Sequence, residues 1–244
     1  MIQDPTNRYI ATILSRCDIS GKEVLEIGCG KGRITRDLAM HARRVVAIDP
    51  DAAALEKARA AIAADNVEFM LAPSGVPDLP AGSFDVVIYT LSLHHVPDTE
   101  ISGSLRSSAG LLRNDGAIAV VEPGDGGSFT EAKERFGAGS GDERPAREAA
   151  IRAMRTLDGW TAGETIHFRT LFHFDDDEDF FTSLLPSYRQ QPESFVNEVR
   201  RFLALHRTAN GITLDAGRRL NVLRPSAPAG SCKKRRCDGT PGIG

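Results

Sequence analysis

Apolar residues fall along this chain in two rhythms. Short continuous runs at 24–27, 45–49, 66–71, 84–90 and 117–122 have the length of strands and are rich in Val and Ile. A run that is apolar at successive positions is buried on both faces, as in a parallel sheet. Between the runs lie segments of helical spacing: Ile34, Leu38 and Ala39, then 52–64, then 98–112. Strands alternating with helices of about 10–14 residues predict an α/β, doubly wound, mostly parallel sheet with helices on both faces.

The flanks read differently. Asp4 and Pro5 form an N-cap and first helical residue, and Tyr9, Ile10, Ile13 and Leu14 share one face of a helix over 5–16. After the fifth run, Gly124, Gly126 and Gly127 break the chain. Ser128 and Glu131 then make a capping-box pattern, and Asp142 is expected to cap a helix striped by Ile151, Met154 and Leu157. This helical insertion at 124–163 is expected to stand over the carboxyl ends of the strands as a lid. Residues 165–174 alternate, with Ile166, Phe168, Phe172 and Phe174 on one side and His167, Arg169 and His173 on the other, which predicts a half-buried strand. The acidic run 175–179 suits the first turn of a helix, where carboxylates complement the dipole, better than it suits a metal. Another helix opens at Pro192, and 218–224 reads as the last strand.

The first apolar run ends in Gly28, Gly30 and Gly32, directly before a helix. Such a turn lets the backbone fold sharply and lets a ligand lie on main-chain N–H groups. No Gly-Lys-Ser/Thr triplet follows, which excludes a P-loop, and Arg33 stands where a dinucleotide fingerprint has its third glycine. The second run ends in Asp49, 19 residues past Gly30. There the chain of a βαβ unit has returned beside the first strand, and a carboxylate can accept both ribose hydroxyls of an adenosine group. Pro50 and Asp51 would border the base. Ligands of doubly wound sheets sit at the carboxyl ends of the strands, where residues 28–32, Asp49, Ser74 and residues 90–95 all fall.

With Glu26 two residues ahead of Gly28, the stretch reads acid-x-Gly-x-Gly-x-Gly and resembles motif I of the class I S-adenosylmethionine-dependent methyltransferases. Gly82-Ser83-Phe84-Asp85-Val86-Val87 resembles the approach to that family's fourth strand, and Leu93-His94-His95 its Leu-His-His stretch. The resemblance implies a seven-stranded Rossmann-like sheet whose last strand runs antiparallel. It implies S-adenosyl-L-methionine as cofactor, S-adenosyl-L-homocysteine as product, and methyl transfer to an oxygen, nitrogen or carbon of a small molecule. It places the cofactor against Glu26, Gly28, Cys29, Gly30, Gly32, Asp49, Pro50, Ser74, Gly75, Thr90 and Leu91, with Tyr9 reaching it from the N-terminal helix. The family's acidic residue after the third strand is replaced here by Ala72-Pro73-Ser74-Gly75, so Ser74 or backbone groups would read the adenine amino group.

In-line methyl transfer needs alignment and exclusion of water more than covalent help, and alignment alone is worth ~7–11 kcal/mol. A hydroxyl or protonated amine acceptor also needs a base, for which His95 and His94 are the candidates, with Glu122 near them. Thr90-Leu91-Ser92-Leu93 lacks the Asn/Asp-Pro-Pro-Tyr pattern of relatives that methylate DNA or protein amides, which favours a small-molecule acceptor. A nonmethylating S-adenosylmethionine-binding member of the same fold is the alternative reading, and an NAD-dependent oxidoreductase a more distant one.

Composition narrows the picture modestly. At 244 residues, 41% hydrophobic and 26% charged, the chain suits one α/β domain over 1–225. A net charge of −3 gives no reason to expect a nucleic-acid partner. No apolar run approaches the ~20 residues that span a bilayer, and Met-Ile-Gln-Asp-Pro lacks a signal pattern, so a cytoplasmic protein without membrane contact is expected. The four cysteines lack zinc spacing, and no metal is expected. Residues 226–244, with Lys233-Lys234-Arg235-Arg236, read as a disordered basic tail outside the site. Nothing in the sequence speaks to oligomeric state.

Overall fold

The computed structural model describes residues 1–226. The chain begins with a two-residue strand, β1 (Ile2–Gln3), and a short helix, α1 (Arg8–Leu14). It then alternates through β2 (Glu23–Ile27), α2 (Arg33–Ala39), β3 (Arg44–Asp49), α3 (Ala52–Ala61) and β4 (Val67–Leu71). A return crossover leads to β5 (Phe84–Thr90), α4 (Asp98–Leu111) and β6 (Leu112–Pro123). Next come α5 (Ser128–Phe136), α6 (Arg144–Arg155), β7 (Trp160–Ala162) and β8 (Ile166–Phe174). Finally α7 (Asp177–Leu184) and α8 (Glu193–Ala204) precede a hairpin of β9 (Arg207–Thr208) and β10 (Gly211–Pro225).

All the described strands join one sheet in the order β1-β8-β10-β6-β5-β2-β3-β4, with β7 and β9 also pairing β10. β6, β5, β2, β3 and β4 are parallel neighbours, and β10 lies antiparallel between β6 and β8. The expected seven principal strands are present. The sheet counts ten because β1, β7 and β9, of two or three residues each, add short edges.

The inner parallel strands β2, β3, β5 and β6 are largely apolar because both faces are covered, whereas the edge strand β4 is only partly buried. Leu25, Ile27, Val46, Ile48, Val87, Tyr89, Ile118 and Val120 face α4 and α6 on one side. Val24, Val45, Ala47, Val86, Ile88, Ala119 and Val121 face α1, α2 and α3 on the other. A third core, rich in phenylalanine, fills the space between α5, α7, α8 and the antiparallel strands. No described helix is long and apolar enough to cross a membrane.

Four local expectations are corrected. The first helix starts at Arg8 rather than at Pro5, because the backbone turns through positive φ at Asp4 (53°) and Asn7 (52°). Asp4 still caps it, its carboxylate accepting from Arg8 N at 2.9 Å and Tyr9 N at 3.0 Å. β6 begins at Leu112, so residues 114–116 form a bulge where Phe84 pairs Leu112 and Val86 pairs Ala117. The capping box at Ser128 does not form: Ser128 donates through both N and Oγ to Asp215 Oδ1 at 3.0 Å, so β10 caps α5. Asp142 lies one position outside α6, whose N-cap is Glu143. The basic cluster at 233–236 lies outside the described residues.

Candidate active site at the switch point of the sheet

From β2 the chain runs outward to β3 and β4, then crosses back to β5 and β6 on the other side of β2. The boundary between β2 and β5 is therefore a topological switch point, where open α/β sheets bind ligands. The glycine turn is built onto it. Gly28 adopts φ +76°, and a Cβ there would stand 2.4 Å from Ser92 Cβ. Ser92, after β5, donates from Oγ to Ile27 O at 2.5 Å, so the two loops are stitched across the switch point. Gly28 N and Cys29 N donate to Ile48 O at 2.8 and 3.0 Å. Gly32, at φ +78°, starts α2, with the Ile62 side chain filling the space a Cβ would need. Gly30, at φ +54°, faces open space instead.

The motif acid works from beneath. Glu26 is 1% exposed and accepts from Thr35 Oγ1 at 2.6 Å, tying β2 to α2. Burial lifts its carboxyl to about 7, against the opposing pull of the Thr35 hydrogen bond. Cys29 is buried beside it, and burial, then the charges of Glu26 and Asp49, push its thiol far up. Asp49 ends β3 at 8% exposure. Its Oδ2 accepts from Gly30 N at 2.7 Å and its Oδ1 from Asp51 N at 2.9 Å, so it fixes the glycine turn and the start of α3 together. Asp51 caps α3 through Ala53 N and Ala54 N.

Pro50, Ser74 and Gly75 lie exposed at the neighbouring strand ends. Thr90 is buried at the end of β5 with no hydrogen-bond partner for its Oγ1, and Leu91 turns the chain at φ +57°. Tyr9 lies deeper: it is fully buried, accepts from Arg218 Nε at 2.7 Å, and carries the Arg33 guanidinium 4.5 Å above its ring centre.

Beyond β5 a 3-10 turn, Leu93–His95, carries the histidines. His94 is buried, with Nδ1 2.7 Å from Glu122 Oε2 at the end of β6 and Nε2 3.7 Å from Glu143 Oε1 at the N-cap of α6. Lys133 of α5 reaches the other Glu143 oxygen at 2.5 Å, and the Ser140 hydroxyl bonds the same carboxylate. Burial opposes charge on His94, yet the bonds and charges of Glu122 and Glu143 prevail and raise it to about 9. Glu143 is likewise opposed by burial, but His94, Lys133 and Ser140 hold it well below the carboxylate range. The His95 ring centre is 4.1 Å from that of His94. Desolvation, then the His94 charge, lowers His95 below the ordinary 6.5. The imidazoles and Glu143 could offer three ligand atoms within 4.8 Å of one another. Lys133, Ser140 and Glu122 already engage these groups, so the cluster is charge-balanced as a salt-bridged network without a cation. The sequence reading missed Glu143 and Lys133, which sit among glycines and helix-surface residues with no local signature.

Residues 24–116 match a family model described as a methyltransferase domain. An uncharacterized methyltransferase of Mycobacterium bovis is 35% identical over 113 residues, 46% of this chain and 56% of that protein. A ubiquinone biosynthesis O-methyltransferase of Xanthomonas oryzae pv. oryzae is 33% identical over 109 residues, 43% of this chain and 45% of that protein. The chain thus spans about half the length of the curated relatives it matches. The YcgJ protein of Bacillus subtilis shares the fold at a TM-score of 0.60 and 14% identity, covering 89% of this chain and 98% of that one. Residues 24–116 thus resemble a methyltransferase domain, and the sheet that carries them is shared with the YcgJ protein.

Proposed function

We propose that this chain transfers the methyl group of S-adenosylmethionine to a small-molecule acceptor by in-line displacement, leaving S-adenosylhomocysteine. The observation that carries the reading is the joining of Asp49 to the glycine turn at the switch point, Oδ2 to Gly30 N at 2.7 Å. The residues present fit the cofactor. Gly30 leaves open space where a side chain would stand, and Thr90 holds an unpartnered hydroxyl at the adjacent strand end. In this reading Asp49 receives the ribose hydroxyls, and the exposed Pro50, Ser74 and Gly75 border the base. When bound, the cofactor supplies an electrophilic methyl carbon on a sulfonium.

The protein's own part is to hold the acceptor in line, exclude water and move a proton. His95 suits the base role and His94 does not. His94 has both ring nitrogens engaged and is held protonated, whereas its charge helps keep the His95 imidazole neutral and able to accept a proton. Helices α5 and α6 form the covering insertion, pinned to β6 through Lys133, Glu143, His94 and Glu122.

Incubation with methyl-tritiated S-adenosylmethionine and a cell extract, followed by size fractionation, tests this. Label is expected in the small-molecule fraction, and with a purified acceptor the rate should fall as pH drops through a value below 6.5, with His95→Gln losing ~10²–10⁴-fold of the rate. Label confined to protein or nucleic acid would overturn the acceptor class.

A further inference from the structure

Arg218 is 6% exposed, the only buried lysine or arginine among the described residues. Its Nε donates to Tyr9 and its Nη1 to Gly217 O at 3.0 Å, and its guanidinium lies 5.5 Å from the Phe172 ring centre. No Asp or Glu among the described residues forms an ion pair with it. Arginine is a permanent cation, and burying one without a counter-charge is costly, so the position points to an anion supplied from outside the chain.

A second, less buried arginine stands nearby. Arg147 of α6 donates to Gly124 O at 3.0 Å, but its Nε is buried with no partner. Its one ion pair, 2.9 Å to Asp125, goes to a carboxylate that is 81% exposed and hence well screened. The other cations here are already paired, Lys133 with Glu143 and Arg144 with Asp142. Arg147 and Arg218 line a small cavity of about 30 Å³ together with Lys133 and Arg144 and the carboxylates of Glu143 and Glu134, each of which is paired to one of those two cations. A water needs ~10–15 Å³ of such space, so the cavity has room for the two oxygens of a carboxylate and little more. Arg218 also lines a larger cavity, about 230 Å³, with Asp125, His167, Phe168 and Arg169. Arg218 sits opposite Pro123 at the end of β6, one residue beyond the Glu122 that holds His94.

Resting on the methyltransferase reading above, we propose that the acceptor carries a carboxylate, held by Arg218 and Arg147 at the carboxyl end of β6. The guanidinium fork is the group best matched to a carboxylate. The cofactor also has a carboxylate, but the small cavity is bounded by β6, α5 and α6, with β5 between β6 and the glycine turn on β2.

Calorimetric titration separates the two. The full chain is titrated with S-adenosylhomocysteine, and, with and without it, with benzoate, hexanoate and succinate, each against its amide. Wild type, Arg147→Gln and Arg218→Lys are compared. At least one acid should bind tenfold tighter than its amide, and both variants should lose that preference while keeping S-adenosylhomocysteine affinity within twofold. If Arg218→Lys does not fold, Arg147→Gln alone decides. No preference for any acid over its amide, or a preference that survives substitution, overturns the proposal. Loss of S-adenosylhomocysteine binding in Arg218→Lys, with acid binding retained in Arg147→Gln, assigns the guanidinium to the cofactor and also overturns it. Acid binding without any S-adenosylhomocysteine binding keeps the anion site and sinks the methyltransferase reading.

Discussion

Two buried titrating groups set what single residues do here, and each has a pH signature. Glu26 titrates near 7 in the fold against an ordinary 4.5, so the folded state holds its proton more tightly than the unfolded chain. The stability this contributes is present below 4.5 and is lost as pH rises to about 7. Glu26→Gln should therefore flatten the melting temperature across that window and raise it above pH 7, as measured by thermal unfolding at stepped pH. His94 has the same sign in a higher window: its stabilisation is complete below 6.5 and is lost as pH rises through about 9. His94→Gln, which leaves Glu122 and Glu143 facing each other, should cost on the order of 3–5 kcal/mol at pH 6 and less at pH 9. Equal losses at both pH values in denaturant titrations would contradict the charged His94.

Among elements, the contact between the turn after β2 and the turn after β5 is the tightest part of the site. A methyl group at Gly28 meets Ser92 Cβ at 2.4 Å and also strains a backbone at φ +76°. Gly28→Ala is expected to destabilise by roughly 1–3 kcal/mol, and Ser92→Gly in the same chain should recover the steric part but not the backbone part. Full recovery in urea unfolding would show that positive φ carries no cost here. The insertion depends on a different kind of join. Helix α6 packs an apolar stripe onto the sheet beside α4, and polar links between residues remote in sequence fix α5 and the start of α6: Glu143 to His94, Lys133 to Glu143, and the Asp215 cap. Such links left no trace in the chain: Ser128 and Glu131 spelled a local cap, and the real partner is 87 residues away.

Across the whole molecule, what could be read in advance follows from what dictates it. The parallel core was legible because burial on both faces demands nearly unbroken apolar runs, and four such runs stand in order with a partly polar one that forms the edge strand β4. The glycine turn and Asp49 were legible because backbone conformation and strand-end position restrict residue choice locally. Tyr9 and Glu26 were recognised as residues, but their depth was not, since it arises from α1, α2 and β10 closing over them. The extra edge strands β1, β7 and β9 are too short to leave a period. The central claim is that one strand-end constellation, centred on Asp49 and Gly30, binds a sulfur nucleoside. Isothermal titration with S-adenosylmethionine, S-adenosylhomocysteine and NAD, on wild type and Asp49→Ala, tests it most directly. The account predicts micromolar binding of both sulfur nucleosides that the substitution weakens at least tenfold, with no heat from NAD; binding of NAD alone, or sulfur-nucleoside binding untouched by Asp49→Ala, would contradict it.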